Sequence, residues 1–463
     1  MPAKKMFSHA SLIAGLNLIV FFYIFRSFFF ADDFYYLWLM KLPSFGMVLA
    51  KVADISLHDF FRPIPQLIFG ISRSIFQLNP LPYHVLNYIM TTINALLVFF
   101  LAKATTKNSK IAFISSALYI VFPGHWEAVG WPATLNTLLM TAFFLLAVTN
   151  YVRYEEEGKS ANLFGSLISF IAGLLTYEAS ITLLLILPLY SIIKNGRISP
   201  HKDLIKLWPW AMVGLCYLAL YFAKAHFFKA NFDSKYQIGP HFLLNELNYL
   251  STLIIPFLTS YKLSAVLPQA LLNSINMTKG LLMALMPILI LFLFIKADRI
   301  SRFFVIWPVL TILPFSFFTL PPVSRYMCLP SVGFVILLAS LMVYLYQRSR
   351  SQTGKNAVFI ISCLIIAVYL TTMMGYQKLF TYKKEIRRTI LHDLGRVLPK
   401  INRGSDLYFT DIPIRQDEIT YMIYLWFNES YQVEVIDKVL LVDTKTKEGS
   451  YFFTYEKGHL KQL

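Results

Sequence analysis

Charge is scarce in this sequence. Only 14% of its 463 residues are Asp, Glu, Lys or Arg, and 57% are hydrophobic, whereas an ordinary soluble domain carries roughly 25% charged residues. That imbalance excludes a single water-soluble core and points to lipid as the solvent. Acids are scarcer than bases, 25 against 42, which leaves a net charge of +17. No basic stripe interleaved with aromatics lies on a soluble module, so the charge does not point to nucleic acid. Cysteine is nearly absent. Cys216, Cys328 and Cys363 each sit in an apolar segment without paired spacing, which excludes a disulfide framework and a zinc site. The apolar stretch from Leu12 to Phe30 is too long for a signal-peptide core and lacks a small-residue cleavage site, so it reads as a retained first span.

What the sequence has in abundance is apolar runs of about 20 residues, the length that crosses a bilayer, each bounded by Lys/Arg, Pro or polar clusters. They predict an all-α polytopic membrane protein of about eleven spans, near 10–30, 83–102, 111–123, 133–151, 162–176, 179–193, 207–224, 280–296, 303–320, 330–346 and 357–375. Alternate short loops should carry the Lys and Arg on the cytoplasmic side. Lys4/Lys5, Lys103/Lys107/Lys110, Arg153/Lys159, Lys194/Arg197/Lys202/Lys206, Lys296/Arg299/Arg302 and Arg348/Arg350/Lys355 fall together on one side. The opposite face receives Ala31 to Pro82, the short turns at Pro123 to Trp131 and Thr176 to Ser180, the segment Ala225 to Lys279, and Pro321 to Pro330. The chain divides into a membrane core, 1–375, and a small soluble α/β domain, 376–463. In the latter, Lys383 to Leu398 and Gln416 to Phe427 read as helices, and Asp406 to Ile412, Gln432 to Ile436 and Ser450 to Tyr455 as strands. With eleven spans this domain is extracytoplasmic.

Ionisable groups at a membrane edge are costly and therefore functional candidates. They gather at the outer face. Asp32-Asp33 follows the first span, with Arg26 two helical turns earlier; the pair suits a general base, a metal site or a helix end. His125, Trp126, Glu127 and Trp131 occupy the short turn FPGHWEAVGWPATLN, Glu178 the turn LTYEAS, and Arg325-Tyr326 the segment PPVSRYMCLPSVGF. Arg62 and His84 flank an amphipathic stretch in the first outer loop. Plainer roles exist for each. His84 reads as a structural histidine, Trp126 and Trp131 as an interfacial belt, Arg325 as a snorkelling anchor, and Glu127 and Glu178 as helix caps. For Asp32-Asp33 function outweighs capping, because a cap needs one acid. A divalent cation, Mg or Mn, is compatible with Asp33 and Glu127, but no spacing demands one.

The run FRPIPQLIFGISRSIFQLNPLPYHVLNYIMTTINALLVFFLA, then FPGHWEAVGWPATLNTLL, LLTYEAS and SRYMCLPSVGF, resembles the membrane core of GT-C glycosyltransferases. The resemblance is to the O-mannosyltransferase branch that carries tetratricopeptide repeats and to its bacterial relatives, and it covers roughly residues 1–375. It implies an inverting hexosyl or pentosyl transferase. The donor would be a sugar on a polyprenyl phosphate, the acceptor a hydroxyl of a glycan, lipid or protein, and the site would lie outside the cytoplasm. The acidic pair of the family's first outer loop matches Asp32-Asp33, with Asp32 as general base on the acceptor. A phosphate leaving group needs positive charge rather than a general acid. Arg325 is the first candidate for that charge, with Arg62 and Arg26 behind it, since a guanidinium fork binds two phosphate oxygens. His125 and Glu127 match the family's H-x-E turn, and Glu178 the acid of its next outer turn.

Two departures leave donor sugar and acceptor open. The last 88 or so residues contain no 34-residue repeat, and the turn continues as Pro132-Ala133-Thr134-Leu135-Asn136 where the branch has a Gly-Arg-x-Asp pattern. The short tail favours a bacterial cell membrane, with the site facing the periplasm or exterior. Competing readings are a transporter or flippase, which should show internal repeats and midplane charges, and a polymerase or ligase of lipid-linked glycans, which concentrates its polar residues in a late outer loop.

Overall fold

The computed structural model describes residues 3–54, 61–196, 206–228, 236–256, 268–427, 431–436 and 449–463. Arg197 and Lys202 of the inner loops and much of Ala225 to Lys279 lie outside them.

The helices in chain order are α1 (Ala3–Phe21), α2 (Asp32–Leu39), α3 (Phe45–Ala53), α4 (Pro63–Phe76), α5 (Pro80–Thr106), α6 (Ser109–Val121), α7 (Trp126–Gly130), α8 (Leu135–Glu157), α9 (Ser160–Leu174), α10 (Leu183–Asn195), α11 (Trp208–Phe228), α12 (His241–Ile254), α13 (Gln269–Lys296), α14 (Arg299–Ser316), α15 (Pro330–Arg348), α16 (Gln352–Val397) and α17 (Gln416–Trp426). Among the described residues, eight helical segments are long and apolar enough to cross a membrane. Three shorter apolar helices, Ser109–Val121, Ser160–Leu174 and Trp208–Ala223, stand at the remaining predicted spans. Local sequence sets many of their ends. Asn79 accepts from the Leu81 N–H and is followed by Pro80 at the first helical position of α5. Asn108 caps α6 through the Lys110 and Ile111 amides, and Gly158, at φ 67°, ends α8 in the left-handed conformation that costs glycine least.

α5, α6 and α8 pack together, with α9 against α8 and α15 against both α6 and α14. Their shared core holds Phe144, Trp307 and Tyr151, all fully buried. At one end of the bundle Lys107 pairs with Glu156, and the Lys194 ammonium donates to the Glu155 carbonyl oxygen. Three of the loops read as cytoplasmic are thus neighbours there. At the other end, the Ile64 N–H donates to the Leu175 carbonyl oxygen, and the Gln237 N–H to that of Phe317.

Three boundaries differ from the expectations. The first span ends at Arg26, where helix gives way to an extended chain. Phe28 and Phe29, apolar enough to read as membrane-embedded, pack instead on Phe34, Tyr83 and Trp426. The last span and the predicted helix from Lys383 are one helix of 46 residues, because nothing between them breaks it; the 375/376 division falls inside α16. The C-terminal module has a fourth strand. β1 (Asp406–Thr410) pairs in parallel with β2 (Gln432–Val435) and β3 (Ser450–Glu456), and β4 (His459–Gln462) returns antiparallel to β3. Lys457 and Gly458, at φ 51° and 85°, form the two-residue turn that suits such a hairpin.

Candidate active site

The two aspartates open α2, directly after Ala31, which lies at φ 46° and ψ −115°. An alanine in that region stores strain of about 1–3 kcal/mol. The Ala31 N–H donates to Glu418 Oε1 at 3.0 Å. Asp33 is completely buried. Its Oδ2 accepts from the Phe30 N–H at 2.8 Å and its Oδ1 from the Ala133 N–H at 2.7 Å. Burial pushes the Asp33 carboxyl up; the two backbone donors and the Lys384 ammonium pull it down. Lys384 is itself buried and donates to the Gly130 carbonyl oxygen. Asp33 therefore fastens the first outer loop to the turn at 123–134. Asp32 points elsewhere. Its side chain is 48% exposed, and Oδ1 accepts a 2.8 Å bond from the Arg415 guanidinium.

The turn is held from several sides. The Asn87 side-chain amide donates to the carbonyl oxygens of Ala128, Val129 and Trp131, at 3.3, 3.3 and 2.9 Å. The Trp131 indole N–H donates to the Phe30 carbonyl at 2.9 Å. So fixed, Glu127 receives Arg325 twice: a guanidinium N–H at 2.7 Å on Oε1 and the backbone N–H at 3.1 Å on Oε2. The guanidinium lies 5.3 Å from the Trp131 ring centre and 5.0 Å from that of Tyr326. Tyr326 stacks on Phe315 at 4.2 Å. His125 is buried against Tyr119, with Nε2 2.8 Å from Ser331 Oγ.

Arg62 and Glu178 form a fork of two bonds, 3.0 and 2.6 Å, over the Tyr177 ring at 3.9 Å. Tyr236 donates its hydroxyl to Glu178 at 3.2 Å. Tyr36, one turn past Asp32, lies within electrostatic reach of Arg62, Asp32 and Glu178. Tyr177 lies within reach of Arg62, Glu178 and Tyr326. Asp32, Arg62, Glu178, Tyr326, Arg325 and Glu127, scattered over some 290 positions, thus form one row at one end of the bundle. Beside it a groove of about 310 Å³ is lined by Glu178, Ile181, Tyr217, Leu218, Tyr221, Tyr236 and Phe317. Its wall is almost wholly apolar.

Two candidates lie apart from the row. Arg26 is on an exposed flank, over the Phe22 ring at 5.8 Å. His84 is buried near Lys384 and the Ser27–Phe28 backbone. As for a cation, no group of three or more His, Cys, Asp or Glu among the described residues could hold one. Asp33 and Glu127 already meet a hydrogen-bond donor on each oxygen.

Several site residues were invisible to sequence reasoning. Arg415 and Glu418 open α17 in the C-terminal module, where Asp417 and Glu418 look like ordinary acids in a first helical turn. Glu418 is buried and takes both arms of the Arg387 fork, at 2.6 and 3.0 Å. Asn87 and Lys384 offered one signal, a strong polar group within a predominantly apolar or helical run.

No family model matches the chain. Over 172 residues, 33% of this chain, it is 27% identical to protein O-mannosyl-transferase TMTC1 of Mus musculus. It is 32% identical over 103 residues to TMTC3 of Homo sapiens. These matches span only 18% and 11% of the relatives' lengths. Among solved structures, the oligosaccharyltransferase of Archaeoglobus fulgidus tethered to an acceptor peptide superposes with a TM-score of 0.53 at 14% identity, covering 93% of this chain and 64% of that one. The same organism's AglB with an inhibitory peptide and a dolichol-phosphate gives 0.56 at 12% identity, covering 93% and 65%. The chain therefore shares the fold of the Archaeoglobus fulgidus oligosaccharyltransferase along nearly its whole length, and over about a third of it the sequence resembles the protein O-mannosyl-transferases.

Proposed function

We propose that this chain is an inverting glycosyltransferase that moves a hexose or pentose from a polyprenyl-phosphate donor to a hydroxyl acceptor. The acceptor is a glycan, lipid or protein at the extracytoplasmic face of a cell membrane. The observation that carries this reading is the division of labour between the two aspartates. Asp33 is buried with both oxygens committed to backbone N–H groups, whereas Asp32 stands half exposed at the end of a row of cationic and aromatic side chains. A general base must reach its substrate within hydrogen-bonding distance, and the exposure of Asp32 supports it, rather than Asp33, in that role.

The geometry supports the following mechanism. Asp32 takes the proton of the acceptor hydroxyl as that oxygen attacks the anomeric carbon from the face opposite the phosphate. The bond from that carbon to the phosphate oxygen breaks, and the polyprenyl phosphate leaves as an anion without protonation. Arg325 and Arg62 supply positive charge there. Each is already aimed by a glutamate and an aromatic ring, so little reorganisation accompanies the reaction. The groove beside Glu178 takes the first isoprene units. Relatives named as O-mannosyl-transferases, and a fold neighbour solved with dolichol-phosphate, support the same chemistry.

The test is mass spectrometry of lipid-linked sugars and envelope glycans from cells lacking the gene and supplied with either the parent protein or Asp32→Asn. The proposal expects one sugar to vanish from a glycan, and its polyprenyl-phosphate form to accumulate, with Asp32→Asn as with no protein. Unchanged glycans and donors in both would overturn it.

A further inference from the structure

We infer that the C-terminal module completes the active site: Arg415 and Glu418 are positioning residues that hold the strained Ala31–Asp32 loop in its working conformation. This rests on the reading of Asp32 as the base. Three observations carry it. First, Ala31 occupies a backbone region that alanine avoids, immediately before the carboxylate, and such a conformation persists only when its surroundings impose it. Second, the imposing groups come from the far end of the chain. Glu418 accepts the Ala31 N–H, and Arg415 meets Asp32 at 2.8 Å while also reaching Asp417 at 3.1 Å. Third, Glu418 is not free to drift. Its carboxylate is buried under the Arg387 fork, Arg387 lies 4.5 Å over the Phe30 ring, and α16 carries Arg387 up from the membrane.

The contact is also apolar. Phe28 and Phe34 pack on Trp426, and Tyr35 and Trp38 on Tyr421. Arg415 therefore acts on Asp32 by direction. It holds Oδ1 at 2.8 Å and so fixes the orientation of the carboxylate.

The experiment uses the full-length protein in nanodiscs and, as substrate, lipid and glycan extract from cells lacking the gene, which contain the unconsumed donor and acceptor. Rates are measured against extract concentration for the parent, Arg415→Ala, Arg415→Lys, Glu418→Gln, Asp32→Asn and, as a control on the far side of the module, Lys461→Ala. Arg415 is exposed, so its removal should leave folding intact, and thermal unfolding checks that for the Arg415 variants. The expected result is a kcat lowered by about 10- to 100-fold in Arg415→Ala and Glu418→Gln at nearly constant apparent KM. Arg415→Lys should restore most of the rate, and hydrogen exchange at Ala31–Phe34 should quicken in Glu418→Gln. A parental kcat in Arg415→Ala beside an inactive Asp32→Asn overturns this inference alone. A rate loss in Arg415→Ala matched by a lower unfolding temperature also overturns it. Parental activity in Asp32→Asn instead refutes the base itself.

Discussion

Asp32 and Asp33 are one peptide bond apart, yet an Asn substitution should act on different quantities at the two positions. At Asp33 it replaces an oxygen that accepts a buried N–H with an NH2 group that cannot, so stability should fall by about 2–4 kcal/mol. At Asp32 the lost partner is a half-exposed ion pair, so stability should change by less than about 1 kcal/mol, while transfer falls by about 10²- to 10⁴-fold, the usual worth of a general base. Unfolding curves in detergent and the glycan assay separate the two effects. The pair itself was legible in sequence because carboxylates are rare in so apolar a chain. Which of the two stays accessible was not, because that depends on Ala133 and Arg415, 100 and 383 positions away. A third acid, Glu246 in α12, was missed altogether. It is buried, one oxygen accepts from the Ser316 hydroxyl at 2.6 Å, and the other meets no donor among the described residues. Burial pushes its carboxyl up to about 7 from 4.5. The folded state thus favours the protonated form. Glu246 costs the fold least below pH 4.5, and its penalty grows as pH rises toward 7, to at most about 3 kcal/mol. Glu246→Gln should therefore raise the unfolding midpoint clearly at pH 8, whereas at pH 5 the gain should be under about 1 kcal/mol.

Among the elements, the turn at 123–134 depends most on groups outside itself. Three of its carbonyl oxygens lean on one amide, that of Asn87. Asn87→Leu leaves them buried without that donor, at a cost of about 1–3 kcal/mol. It should also loosen the Glu127–Arg325 pair. Hydrogen exchange in peptides covering 126–134 is expected to accelerate while the inner ends of α5 and α8 stay protected; uniform exchange throughout would contradict it. Helices were the part of the fold most readable from sequence, since apolar length, Asn caps and terminal glycines act within a few residues. Short 3-10 turns and the direction of their side chains were not, because tertiary bonds from Asn87, Asp33 and Lys384 set them.

On the scale of the whole molecule, composition separates a membrane core from a soluble tail, but packing joins them. Phe28, Phe29, Phe34, Leu37 and Phe69 share one core with Ile390, Leu394, Leu407, Ile419 and Ile423. Neither 1–375 nor 376–463 produced alone should give a monodisperse folded species on size exclusion, whereas co-production should recover a complex. A well-folded isolated tail would refute this. The apolar shared surface explains why composition misplaced the boundary: α16 passes from lipid to protein without a change of helical pattern.

That single helix also sets a height. Its 46 residues reach about 69 Å at 1.5 Å per residue, against about 40–45 Å for a bilayer with its headgroups. A helix that crosses squarely from its first turn leaves some 25 Å above the bilayer, and Lys384 and Arg387 lie along that part of it. On the proposed reading, the distance from the far membrane surface to Asp32 is built into the chain as a ruler. In a thicker or thinner bilayer the helix must tilt, carrying Arg415 and Glu418 with it relative to a donor whose own depth follows the lipid. Transfer rates measured across phosphatidylcholines of 14 to about 22 carbons should therefore peak at one chain length, as a tool cut to a single gauge works on one thickness of sheet.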